Sequence, residues 1–291
     1  MSIEPAFGCR SEEDCRNYLK INRETVGILC KRCRQTSHRW IESKSLWRCR
    51  SCSFETTLKS GTLFESTKLP LMKWFMALGL MCNNKKGISA CEMKRQLGLK
   101  RYEPVWYMMH KIRLAMKNYT AGDSKVEHVF ASEMAMTNCA AVRKRVKPNV
   151  RNSSPLKLLS ILENDPIPGT ADRNKLHVLC YENLSGHQIR QQVASPEGIA
   201  YDLRNRRARK IVQPRGIMLS DEGEDIQPVT TPNWWISKAL INLHRILNGI
   251  HHQVSKKYMQ RHLDEFSFKF NNRYRRDLDN LLMINSLNRA G

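Results

Sequence analysis

Acidic side chains are scarce in this chain: 27 Asp and Glu stand against 49 Lys and Arg, a formal net charge of +22. Such an excess builds a positive field that draws polyanions. Long hydrophobic runs are missing as well. The longest, Leu69 to Cys82, is interrupted by Lys73 and too short to cross a bilayer, so it reads as a buried helix around Trp74. No secretory leader is recognisable, because Met1-Ser2-Ile3-Glu4-Pro5 runs into the acidic Ser11-Glu12-Glu13-Asp14 where a leader has a basic start and an apolar stretch. A reducing, cytoplasmic compartment is expected, and disulfides are not. A basic amphipathic anchor is also lacking, which disfavours a membrane surface as the polyanion and leaves nucleic acid as the leading partner. A merely solvated basic surface is the alternative. No internal repeat or low-complexity tract stands out in the 291 residues, and 41% hydrophobic content suffices for one large packed domain and one or two small ones.

What is present is a cysteine pattern. Cys30-x2-Cys33 and Cys49-x2-Cys52 are separated by fifteen residues, Arg34 to Arg48. That spacing lets two chelating turns meet around one tetrahedral zinc ion, with a β-hairpin between them. Four sulfur ligands leave no open coordination position, so the expected metal is structural: it replaces a hydrophobic core that about thirty residues cannot build. Ordinary thiols of an intracellular protein are the alternative. The other six cysteines, Cys9, Cys15, Cys82, Cys91, Cys139 and Cys180, show no comparable pairing and read as buried small hydrophobes.

Along the chain, Cys15, Tyr18 and Leu19 fit a short helix before the ribbon, and Pro70 opens a helix carrying Trp74, Phe75, Leu78 and Met81. Ile88 to Leu97 reads as a helix stopped by Gly98, and from Pro104 another carries Val105, Met108, Met109, Ile112 and Met116 at three- and four-residue steps. This outlines a helix-turn-helix. Lys94, Arg95, Lys111, Arg113 and Lys117 are its candidate DNA contacts; two packed helices with a solvated basic face are the other reading. Polarity rises around Thr120 to Lys125, marking a boundary. Val126 to Met136 then reads as a strand, and Leu176 to Tyr181 with Gln188 to Ala194 reads as strand, turn, strand. Arg204, Arg206, Arg207 and Arg209 crowd one segment and are candidate phosphate contacts. Ile236, Leu240, Leu243, Leu247 and Ile250 form one helical stripe suited to packing on a sheet.

The ribbon, Gly61-Thr62-Leu63-Phe64, Pro70-x3-Trp74, Gly87-Ile88-Ser89-Ala90, Trp106-x2-Met109-His110-Lys111-Ile112-Arg113, Gly249-Ile250-His251-His252-Gln253-Val254-Ser255-Lys256-Lys257-Tyr258 and Leu263-Asp264-Glu265-Phe266-x3-Phe270-Asn271-Asn272-Arg273 together resemble the zinc-ribbon insertion-sequence transposases related to eukaryotic Merlin elements. The resemblance covers nearly the whole chain and is most specific at its end. It implies an α+β, multi-domain protein: an N-terminal helix and zinc ribbon over 1–60, a helix-turn-helix-like region over 61–122, and an RNase H-like transposase domain of mixed sheet flanked by helices over 123–291. It also implies double-stranded DNA as partner, with element terminal repeats as the target, a homo-oligomer on DNA, and a nucleoid-associated location if the source is bacterial.

Transposition by this family implies two Mg²⁺ ions about four ångströms apart, held by carboxylates. The resemblance places the first Asp where this chain has Ser132, the second at Asp221, and the third carboxylate or amide at Ser237. A neutral hydroxyl cannot replace an anion shared by two dications. Glu133 is adjacent to Ser132, but neighbours on a strand take opposite faces, so it serves only if a bulge or register shift intervenes. Two expectations follow from this pattern: a transposase-derived DNA-binding protein with weak or absent hydrolysis, or an active transposase in which Asp221, Glu133 and a further ligand hold Mg²⁺.

Overall fold

The computed structural model describes residues 6–120, 128–136, 156–164, 175–181, 199–201, 234–251 and 254–287. Two compact units emerge, one of Met1–Tyr119 with Tyr274–Gly291 and one of Thr120–Arg273.

The first unit begins with α1 (Glu12–Val26), started by a reciprocal cap. Ser11 Oγ accepts the Asp14 N–H at 3.0 Å, and the Asp14 carboxylate accepts the Ser11 N–H at 2.8 Å. Cys15 and Leu19 are fully buried on its inner face. Strands β1 (His38–Ile41), β2 (Leu46–Cys49) and β3 (Glu55–Thr57) follow as an antiparallel sheet in chain order. α1 grips this sheet through Arg23. Its Nη1 donates to the carbonyls of Thr57 and Leu58, both at 2.8 Å, and its guanidinium lies 4.9 Å from the Trp47 ring centroid. Burial lowers the Arg23 pKa to about 10, still high enough to keep it charged at neutral pH.

Four helices complete the unit: α2 (Leu71–Asn83), α3 (Ala90–Leu97), α4 (Glu103–Thr120) and the C-terminal helix Leu278–Ser286, named α7 below. Pro70 at the N-cap of α2 has no side-chain acceptor, and the Glu12 carboxylate takes over, receiving the Leu71 and Met72 N–H groups at 2.8 and 2.9 Å. α3 stops in the manner its Gly98 predicts: φ is +63° there, and Leu99 N–H returns to Lys94 O at 3.1 Å. Phe64 packs edge-on against Trp74, with centroids 5.5 Å apart at 86°. The return of Tyr274–Gly291 to this unit corrects the expected 123–291 range, and no division separates 1–60 from the helices after it. The physical reason is apolar: Leu278, Leu282, Met283 and Leu287 are buried, and α7 packs on α2.

In the second unit β4 (His128–Met136), β5 (Leu156–Asn164), β6 (Lys175–Tyr181) and β7 (Ile199–Tyr201) lie in the order β6-β5-β4-β7. β4 is antiparallel to β5 and parallel to β7, and β5 is antiparallel to β6, so the sheet is mixed. Helices α5 (Trp234–Gly249) and α6 (Lys256–Asn271) join it. Leu240, Leu243 and Leu247 of the predicted stripe are buried with Leu176, Val178, Met259 and Leu263 in one cluster.

β6 lies at one end of the strand order, and α6 closes its open backbone groups. Asn271 accepts from Leu176 N–H at 2.6 Å and donates to Leu176 O at 3.2 Å; Ser267 Oγ accepts from Val178 N–H at 3.2 Å; Gln260 donates to Val178 O at 3.0 Å. Residues 260, 267 and 271 recur at helical spacing, so one face of α6 matches a strand's outer row. Asn271→Leu removes both bonds to Leu176 while keeping similar bulk. It is expected to destabilise the protein by about 2 kcal/mol, read as a lowered midpoint in chemical denaturation with an unchanged slope.

Candidate functional site

The two Cys-x2-Cys turns are built alike. Cys30 N–H donates to Gln35 O at 3.0 Å and Arg34 N–H to Cys30 O at 3.0 Å; Cys49 N–H donates to Phe54 O at 2.9 Å and Ser53 N–H to Cys49 O at 3.1 Å. In each turn the residue after the second cysteine is left-handed, Arg34 at φ +61° and Ser53 at +60°. Neither is glycine, so each turn holds a mildly strained backbone at the point where it must reverse. The hairpin between the turns closes through a 3-10 turn, Glu42–Lys44, with Ser45 at φ +47°.

The turns bring four sulfurs together. All the Sγ atoms of Cys30, Cys33, Cys49 and Cys52 lie within 4.8 Å of one another, with Cys30 to Cys52 at 3.6 Å and Cys33 to Cys49 at 3.5 Å. A tetrahedron with metal–sulfur bonds near 2.3 Å has edges of about 3.8 Å, so the four thiols could hold a metal ion such as zinc. Cys30 and Cys49 are buried, Cys33 and Cys52 half-buried. Backbone donation by Cys33 N–H lowers the Cys30 pKa, and the matching Cys52 N–H lowers Cys49 to about 6. Cys33 accepts from the Gln35 N–H, yet its neighbouring cysteines and burial outweigh that bond and push it up to about 12. Both shifts favour the thiolate, which is the form that binds metal.

The predicted DNA contacts on the helix pair are dispersed. Arg113 is only 2% exposed, so its expected role on the DNA face is corrected: three- and four-residue spacing puts it among the core positions of α4. Lys111 is half-buried, donating to Glu65 O at 2.7 Å with its ammonium 5.9 Å from the Trp74 centroid. Arg95 is exposed but forks onto Glu92 at 2.8 and 2.6 Å, holding that carboxyl at about 2. Lys94 is half-buried and Lys117 exposed. Among the remaining cysteines, Cys9, Cys15 and Cys82 are buried as expected, whereas Cys91, on the first turn of α3, is exposed.

Of the expected catalytic positions, Ser132 and Glu133 lie in β4, where the ladder to β5 runs one-to-one from His128↔Asn164 to Met136↔Leu156. Ser132 pairs with Ser160 and Glu133 with Leu159, and no bulge intervenes. The irregularity that Glu133 needs to stand in for Ser132 is therefore not there. Ser237 belongs to α5. Asp221 and the arginines Arg204, Arg206, Arg207 and Arg209 lie outside the described residues. Missed by the sequence reading was β5, whose signal was a run rich in Leu and Ile. Among the described residues, no helix is long and apolar enough to cross a membrane.

In comparison with known proteins, the chain matches no family model, no curated protein and no solved structure.

The thiol chemistry sets a pH dependence for the metal-free protein. The depressed folded value of Cys49 means its thiolate contributes stability in full above the ordinary thiol value of 9.0, and the contribution falls away as pH drops toward about 6. Cys33 acts oppositely, but only as pH rises from 9.0 toward about 12. Chelator-treated protein should therefore lose its ribbon more readily at pH 6 than at pH 8. Trp40 and Trp47, with ring centroids 4.6 Å apart and tilted at 57°, provide the fluorescence signal.

Proposed function

We propose that this chain is a transposase-derived DNA-binding protein whose four cysteines hold a structural zinc ion and whose hydrolytic activity is weak or absent. One observation carries the reading: four sulfurs converge at tetrahedral spacing within a chain of net charge +22. A closed thiolate set activates no water, so the metal's contribution is to fold the ribbon. The positive charge supplies affinity for a polyanion, and the resemblance names that polyanion as double-stranded DNA.

The mixed sheet, with apolar helices packed on it, supports an RNase H-like domain over the second unit. The same sheet supports loss of catalysis. Ser132, not a carboxylate, occupies the position that the resemblance assigns to the shared metal ligand, and β4 passes through it without a bulge. Mg²⁺ is accordingly not assigned a role, and Asp221 alone is too little negative charge to retain a pair of dications.

Two measurements test the reading. Elemental analysis of purified protein should find one zinc per chain, lost in Cys33→Ser with Cys52→Ser. Fluorescence anisotropy with duplex DNA should show affinity that falls steeply with salt. Absence of metal, or salt-independent binding, overturns it. Mg²⁺-dependent nicking of duplex DNA that disappears in Asp221→Ala would instead establish an active transposase.

A further inference from the structure

The ribbon sheet has two unlike faces. Trp40 and Trp47 are paired across β1 and β2, and Lys20 and Arg23 of α1 lie over them at 5.0 and 4.9 Å, so this face packs on α1. Alternation along the strands sends Arg39, Arg48 and Glu55 to the other face, where all three are exposed. In register they form a single row, Arg39↔Arg48↔Glu55. Arg50, two residues beyond Arg48, is exposed where the hairpin meets the second cysteine turn, its N–H donating to Ser37 O at 3.0 Å.

Arg39 directly opposite Arg48 is a like-charge pair, an arrangement that destabilises a sheet unless something neutralises it. Glu55 does half of this, taking Arg48 in two bonds at 3.2 and 2.5 Å. Among the described residues, no carboxylate pairs with Arg39 or Arg50. The geometry points to this face as a seat for the phosphate backbone of duplex DNA, with Arg39 and Arg50 as phosphate contacts and Glu55 as the internal anion that competes for Arg48. The inference rests on the DNA-binding reading, in which ribbon and helix pair both contact the duplex, and names the ribbon side chains that meet the phosphates. Guanidiniums on a rigid strand suit phosphates because their donors are fixed in a planar fork. Such contacts position a duplex without reading its sequence.

The test uses full-length, zinc-loaded protein and duplex DNA titrated across a salt series, with zinc content confirming an intact ribbon in every variant. Arg39→Gln and Arg50→Gln should each flatten the plot of log affinity against log salt by about 0.9, equally for unrelated duplex sequences. Glu55→Gln should do the reverse: it frees Arg48, tightens binding and steepens the slope by up to about 0.9, a gain that misfolding cannot imitate. Wild-type binding with a steep slope that none of the three variants alters would overturn the inference and leave the DNA-binding reading standing. So would a slope that responds to Lys94→Gln and Lys117→Gln instead. If the wild-type protein shows no salt-dependent binding, the reading itself fails and this inference falls with it.

Discussion

The convergence of four sulfurs is the constraint on which the N-terminal unit depends. β1, β2 and β3 span four, four and three residues, too little to bury a core of their own. What closes them is a pair of near-identical turns, each fixed by two backbone hydrogen bonds and a left-handed residue, that aim their thiols at one point. The sheet then needs a second support, and α1 provides it through a buried guanidinium that bonds the carbonyls of the third strand's last residue and the one after it and lies over Trp47. The cysteine turns and the helix address different ends of the same problem: the turns set the hairpin's ends, and the helix gives its apolar face something to pack against.

Much of this was legible before the structure. The cysteine spacing dictated the hairpin, because chelating turns cannot meet unless the chain between them doubles back. Gly98 marked the end of α3 by capping chemistry, and the Leu240, Leu243, Leu247 stripe told which side of α5 is buried. The failures have equally specific causes. Arg113 looked like a surface cation because charge is a local cue, whereas its burial is set by the three- and four-residue spacing that also buries Ile112 and Met116. β5 was passed over because Leu156–Asn164 follows a strongly basic stretch, and its partner strands lie far off in sequence, where periodicity carries no information about pairing. In the polar run Glu55–Thr57, Thr56 turns inward opposite Trp47, a fact that only the register discloses.

Net charge and usable charge differ sharply in this chain. Arg23 and Arg113 are buried, Lys73 donates to the last carbonyl of α3 at 2.7 Å, and Lys269 is tied to buried Glu265 at 2.6 Å. These cations serve the fold. A buried charge is kept because its hydrogen bonds offset the loss of water, and such a group has no donor left to offer a phosphate without breaking the protein. The total of +22 therefore says that a polyanion is attracted but is silent on where it sits. Location follows from a narrower question, namely which cations are exposed and lack a local anion.

The same reasoning bears on catalysis. Carboxylates that hold two dications must approach one another closely, and like charges brought together destabilise a fold unless the metals are there to neutralise them. A sheet that no longer performs metal chemistry has no need to bear that cost, and substitution of serine at such a position removes it. On the RNase H-like reading proposed above, the ladder through Ser132 and Ser160 runs one-to-one, without the bulge that Glu133 would need to stand in for the missing carboxylate. The ribbon shows the opposite condition. Left-handed Arg34 and Ser53 hold local strain at the points where the cysteine turns must reverse.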